Sequence, residues 1–105
     1  MAVKEQSVFH LISELTHQAG VSCILIGGFA VNHYKVARQT ADVDFLITKE
    51  DFDKISNFLE EAGYKQTLLQ ENFVQLESTR ASLMDVDFMF IDRETFEKVL
   101  LMFTV

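Results

Sequence analysis

Residues 38–47 read Arg-Gln-Thr-Ala-Asp-Val-Asp-Phe-Leu-Ile, and Thr-Lys-Glu-Asp-Phe follows directly at 48–52. From Asp42 the residues alternate polar and apolar over four positions and stay apolar through Ile47, a length and alternation that read as a strand. Side chains alternate across a strand, so Asp42 and Asp44 leave one face while Val43 and Phe45 point into the core from the other. The strand stops at Thr48. Thr48 with Asp51 three residues on resembles a capping box, and Phe52, Ile55, Leu59 and Ala62 give the apolar stripe of a helix closed by Gly63. A short alternating strand running straight into a capped amphipathic helix is the repeating unit of a layered α/β or α+β domain.

Outward from this stretch the remaining chain fits the same architecture. Val8, Leu11, Ile12, Leu15 and Ala19 have helical spacing, with Gly20 placed as a left-handed cap, so the first helix is expected over about residues 5–19. Residues 21–26 (VSCILI) form a continuous apolar run stopped by Gly27-Gly28 and read as a buried strand; residues 29–36 read as a short helix. The segment QTLLQENFVQLE at 66–77 reads as a hairpin around Gln70-Glu71-Asn72. Residues 85–91 (DVDFMFI) form another strand, and Asp92 is placed to cap a last helix with the face Phe96, Val99, Leu100 and Phe103. The resulting order, α-β-α-β-α-β-β-β-α, predicts one mixed β-sheet flanked by helices, in a single domain spanning residues 1–105. No proline and no Gly/Ser-rich stretch marks a linker.

Composition narrows the function. The 105 residues carry 9 Lys plus Arg against 16 Asp plus Glu, a formal charge of −7, and the basic residues are scattered. Backbone-directed nucleic-acid binding needs clustered positive charge, so no sequence-specific DNA binding is expected. The ten Phe follow helix and strand faces and read as core, with no basic groove to make them a base-stacking platform. No apolar run spans a bilayer and no signal-like start is present, so a cytoplasmic location is expected. The single cysteine, Cys23, reads as a small core residue and excludes an internal disulfide or a zinc knuckle. A metal would therefore be held by oxygen or imidazole.

Two acid pairs stand out. Asp42-Val43-Asp44 and Asp85-Val86-Asp87 each open a strand, and a sheet that pairs the two strands gathers three or four carboxylates on one patch. Like charges that close repel strongly unless a cation compensates, which points to Mg²⁺. The competing reading is that both pairs are exposed acids on the wet face of a sheet, each solvated separately. Gly27-Gly28, between a buried strand and a helix, offers close backbone approach and free N–H groups to phosphate oxygens; its bland reading is a tight turn. It is neither a P-loop nor a dinucleotide fingerprint.

Taken together, Gly27-Gly28-Phe29-Ala30-Val31, the run Arg38 to Ile47 and Val86-Asp87-Phe88-Met89-Phe90 resemble the nucleotidyltransferase superfamily with the DNA polymerase β-type fold. The resemblance covers about residues 8–100 and is to the small bacterial branch of antibiotic nucleotidyltransferases and nucleotidyltransferase toxin and antitoxin proteins. It implies that Asp42 and Asp44 are a catalytic, metal-binding pair and that Asp87 is the third carboxylate, with Asp85 as rival. It also implies that Gly27 and Gly28 hold the triphosphate, with Arg38 and Thr40 nearby as nucleotide-binding residues. The implied cofactor is Mg²⁺ (or Mn²⁺), the donor an NTP, and the acceptor an unidentified hydroxyl compound. Two departures stand beside this: Gly28 takes the place of the serine found in many members, and the chain has little room for the helical domain that usually shapes the acceptor site.

The expected activity is Mg²⁺-dependent transfer of an NMP from an NTP to a hydroxyl. The alternative is a catalytically weak interaction module of the same fold, such as a toxin–antitoxin component. The apolar C-terminal helix suggests a homodimer or a protein partner, or a downstream domain. A plain metal-binding or structural α/β domain is the third reading. Arg38 and Lys35 also fit ordinary loop salt bridges. His10 and His17, with no acid spaced to complete a metal triad, read as surface residues, and His33, five residues after Gly28, lies near the candidate site, where it could touch a ligand.

Overall fold

The computed structural model describes residues 7–26, 42–80 and 83–102. The helix expected at 29–36, and Gly27, Gly28, His33, Lys35, Arg38 and Thr40 with it, lie outside the described residues.

Helix α1 (Val8–Ala19) begins later than the apolar spacing alone suggests. Ser7 is extended and its Oγ accepts the His10 N–H at 3.2 Å, so Ser7 is the N-cap and the helix cannot include it. At the other end Gly20 takes a φ of 70°, and the Gly20 and Val21 N–H groups bond back to the carbonyls of His17 and Thr16. That closure uses the backbone of residues 20 and 21. As a result the expected strand over 21–26 shrinks to β1 (Ile24–Leu25). Among the described strands it lies at the sheet edge, with Ile24 buried as expected and Leu25 47% exposed. Val21 and Cys23 reach the core from the connecting loop instead of from the ladder.

Strand β2 (Asp42–Ile47) has the expected bounds and alternation, with Val43, Phe45 and Ile47 buried. Helix α2 (Lys49–Glu61) starts on Thr48, whose Oγ1 accepts the Asp51 N–H at 3.1 Å, and buries Phe52, Ile55 and Leu59. The chain then turns through Ala62 and Gly63, the latter at φ 105°. The hairpin is present and starts two residues earlier than expected: β3 (Tyr64–Gln70), a Glu71-Asn72 turn, and β4 (Phe73–Ser78). Strand β5 (Asp85–Phe90) is followed by α3 (Arg93–Met102), for which Asp92 accepts the Thr95 N–H at 2.9 Å. On α3 only Phe96 is buried, while Leu101 and Met102 are 70% and 77% exposed.

The five strands form one mixed sheet in the order β1-β2-β5-β4-β3. β2 and β5 are parallel; the other neighbours are antiparallel. One face is covered by α1 and α2. Val8, Leu11, Ile12 and Leu15 of α1, with Phe52, Ile55 and Leu59 of α2, close over the inward residues of β2, β4 and β5. In the middle of that layer the Phe45 and Phe88 rings stack at 5.6 Å and Phe52 meets Phe88 at 5.1 Å, tilted by 56°. Burying each such ring stabilises the domain by roughly 2–3 kcal/mol. This is the α+β arrangement expected from the sequence, a sheet flanked by helices. No helix among the described residues is long and apolar enough to cross a membrane.

Candidate active site

Packing Val43, Phe45, Val86 and Phe88 inward forces the acids between them onto the opposite face. The β2–β5 ladder is parallel and in register, with Asp42 opposite Asp85 and Asp44 opposite Asp87. With neighbouring strands about 4.8 Å apart and alternate residues about 6.6 Å apart, the four Cα atoms outline a small rectangle. The two acid pairs of the sequence are therefore one patch on the sheet, and the reading of separately solvated acids does not describe it.

The four carboxylates are not equivalent. Asp85 Oδ1 accepts the Ser78 N–H at 2.9 Å, which ties it to the end of β4. Nearby, Tyr64 donates its hydroxyl to the Met84 carbonyl at 2.6 Å and anchors the entry to β5. Asp87 Oδ1 is buried without a hydrogen-bond partner. Burial, the charges of Asp42 and Asp44, a hydrogen bond with Asp44 and the charge of Asp85 together push the Asp87 carboxyl up to about 7. An oxygen taken out of water and left unsatisfied amid like charges is a strong demand for a cation or a proton. Hard, oxygen-preferring divalent ions are the type such a donor set fits. Among the described residues no three carboxylate, histidine or cysteine side chains stand as a preformed ligand set.

The glycine pair follows a defined anchor. Ile26, the last described residue before Gly27-Gly28, donates its N–H to the Asp44 backbone carbonyl at 2.9 Å. Cys23 is partly buried, and burial pushes its thiol up to about 12, which makes it unreactive. His10 and His17 are exposed on α1, and His10 meets Glu14 at 3.3 Å.

Two features are not legible from spacing. Asp51 is buried, and its carboxylate pairs with Arg93 of α3 at 3.0 Å; Arg93 also donates to Thr48 Oγ1 at 3.2 Å. The acid of the capping-box motif thus holds α3 rather than the start of its own helix. The second is Gln75, which stands directly opposite Asp87 on the β4–β5 ladder. The polar–apolar alternation of FVQLES signals its face, but only the long-range register gives its neighbour.

The comparisons agree with this architecture. The model of the aminoglycoside-2''-adenylyltransferase family matches residues 8–99. Among solved structures the fold is similar to a lincosamide antibiotic adenylyltransferase, LnuA, in a crystal structure with lincomycin bound. The TM-score is 0.60 at 22% identity, over 80% of this chain and 54% of that one. The chain thus spans about half the length of that enzyme. No curated protein matches it. With its family model covering nearly the whole sequence, and its mixed sheet carrying paired acids on the open face, the chain belongs to the aminoglycoside-2''-adenylyltransferase family, within the antibiotic nucleotidyltransferase-like superfamily.

Proposed function

We propose that residues 1–105 form a minimal nucleotidyl-transfer domain that moves an NMP, in this family AMP, from an NTP to a hydroxyl acceptor. The observation that carries the reading is the direct pairing of Asp44 with Asp87, with a buried, unpartnered oxygen on Asp87. Asp42, Asp44 and Asp87 are the catalytic and metal-binding set. Asp87 is preferred to its rival Asp85, whose Oδ1 already accepts the Ser78 N–H at 2.9 Å. Mg²⁺ or Mn²⁺, when bound, supplies charge compensation for the carboxylates and the triphosphate and polarises the reacting phosphoryl group.

The protein's own share is positioning and proton transfer. Asp42 and Asp44 fix the donor over the β2 end of the patch, and Gly27 and Gly28, with Arg38 and Thr40, are the proposed triphosphate contacts. Support for that reading is the Ile26 backbone bond to Asp44, one residue before the glycine pair in the sequence. The acceptor hydroxyl approaches Asp87, which takes its proton. As the acceptor oxygen bonds to the α-phosphorus, the bond from that phosphorus to the bridging oxygen breaks, and pyrophosphate leaves with the electron pair.

Both comparisons are with adenylyltransferases and lend no support to the interaction-module reading. Calorimetric titration of each of the four NTPs, with and without Mg²⁺, on wild type and Asp42→Asn tests the proposal. Mg²⁺-dependent binding of one NTP, ATP by family, that disappears in Asp42→Asn is the expected result. Absence of binding by every NTP at millimolar concentration overturns it.

A further inference from the structure

One straight row of side chains crosses the acid-bearing face of the sheet. From the outer edge inward it is Leu68 on β3, Gln75 on β4, Asp87 on β5 and Asp44 on β2, each directly opposite the next. The adjoining row places Phe73 of β4 opposite Met89 of β5. Leu68 and Met89 are 43% and 41% exposed on a face where α1 and α2 do not reach, while Gln75 and Phe73 are half-buried. Directly paired antiparallel residues hold their Cβ atoms about 5 Å apart, so the Gln75 carboxamide is within reach of any group bonded to Asp87.

Topology assigns the two sides of Asp87 to different substrates. Gly27-Gly28 follow Ile26 directly in the sequence, and β1 pairs with β2, so on the nucleotidyl-transfer reading the donor is assigned to the β1–β2 side. In-line displacement requires the nucleophile to approach from the side opposite the departing pyrophosphate. On this sheet that side is β4 and β3. We propose that Gln75 is an acceptor-binding residue. Its carboxamide pairs with a second polar group beside the reacting hydroxyl, and Leu68, Phe73 and Met89 seat the carbon skeleton.

The chemistry of the row defines the acceptor. A carboxamide offers donor and acceptor together and adds no fifth charge to the acid patch. It therefore reads a hydroxyl flanked by another hydroxyl or an amine, and the three apolar side chains favour a ring with one unsubstituted face. A hydroxylated ring compound with an apolar face fits better than an open polyol. The inference rests on the nucleotidyl-transfer reading.

The test is a ¹H–¹⁵N and methyl NMR titration with Mg²⁺ and the unreactive donor analogue α,β-methylene-ATP, followed by lincomycin or the aminoglycoside kanamycin as acceptor probes. The analogue is expected to shift Ile26 and Asp44 amide signals and to leave the Gln75 side-chain amide in place. At least one probe is expected to shift the Gln75 amide and the Leu68 and Met89 methyls. Gln75→Leu is expected to weaken that probe at least tenfold, with analogue affinity within twofold of wild type and an unchanged melting point; Gln75→Asn recovers part of the loss. The inference is overturned if Gln75→Leu binds the probe within twofold of wild type, if the shifts map elsewhere, or if neither probe binds. If the analogue itself fails to bind wild type, the nucleotidyl-transfer reading fails and takes this inference with it; with the analogue bound, a failed probe arm removes the inference alone.

Discussion

Asp44 and Asp87 face each other directly across the parallel β2–β5 ladder, and they are the point at which the fold's packing becomes chemistry. Each is followed by a phenylalanine, and Phe45 and Phe88 stack at 5.6 Å on the other side of the sheet. Burying the two rings holds the two carboxylates together against their repulsion. The aromatic pair is thus a cause of the charged pair, and the fold maintains an arrangement that isolated carboxylates would avoid.

That arrangement has a pH signature. Asp87 stands at about 7 in the folded chain against an ordinary value of 3.8, so between those two values the folded state holds a proton that the unfolded chain releases. The associated stability is fully present below about pH 4 and is lost as pH rises through about 7. Asp87→Asn removes the penalty. In metal-free chelating buffer the variant should exceed wild type by roughly 1–2 kcal/mol at pH 8 and differ little at pH 4, because the carboxylates titrate jointly. Urea unfolding at both pH values reads the difference, and parallel pH profiles for the two proteins would contradict the assignment.

Stability and activity separate the two acids of β5. Asp87→Asn should lower adenylyl transfer by roughly 10²–10⁴-fold while stabilising the apo chain at high pH. Asp85→Asn retains an oxygen for the Ser78 N–H and should keep transfer within about tenfold of wild type, whereas Asp85→Ala leaves that N–H unpaired and costs about 1 kcal/mol. Steady-state turnover and thermal melting on the three variants give the comparison. Equal loss of turnover in Asp85→Asn and Asp87→Asn would return Asp85 to the catalytic set.

Divalent ion binding provides a readout independent of turnover. A ligand that binds only the folded state raises its stability by about 2.7 kcal/mol at one hundred times its dissociation constant. Mg²⁺ or Mn²⁺ should therefore raise the melting temperature at pH 8, and less at pH 5.5, where Asp87 keeps its proton. Asp44→Asn should abolish the rise. An equal rise in wild type and Asp44→Asn would place the ion elsewhere on the acidic surface.

The sequence made local elements legible where their signals lay within one short window. The alternation of DVDFLI and the Thr48 cap give β2 and the start of α2 with their observed bounds. DVDFMF gives β5 in the same way, one residue shorter than its apolar run. What it could not show depends on contacts between distant segments. β1 is short because the closure of α1 occupies the backbone of Gly20 and Val21. The parallel register that puts Asp87 beside Asp44, and Gln75 beside Asp87, is set by packing across the sheet rather than by any local pattern. The proposed triphosphate residues Gly27, Gly28, Arg38 and Thr40 rest on sequence resemblance and on the Ile26 anchor.

The link between α2 and α3 offers a test of how the second half of the chain is held. Asp51 is 5% exposed and Arg93 bonds both its carboxylate and the Thr48 hydroxyl, so one guanidinium joins the N-terminal ends of two helices. Lys54 lies farther off, at 3.8 Å from Asp51, and cannot replace that geometry. Arg93→Met leaves the buried Asp51 carboxylate short of its partner and should lower stability, with the exposed side of Arg93 keeping the loss below that of a fully buried pair. Thr48→Ala removes both the helix cap and the Arg93 acceptor and should cost about 1–2 kcal/mol, with Thr48→Ser restoring most of it. Since both changes act on the same cluster, the double variant should lose less than the sum. Additive losses in denaturant unfolding would show that the cap and the ion pair act separately.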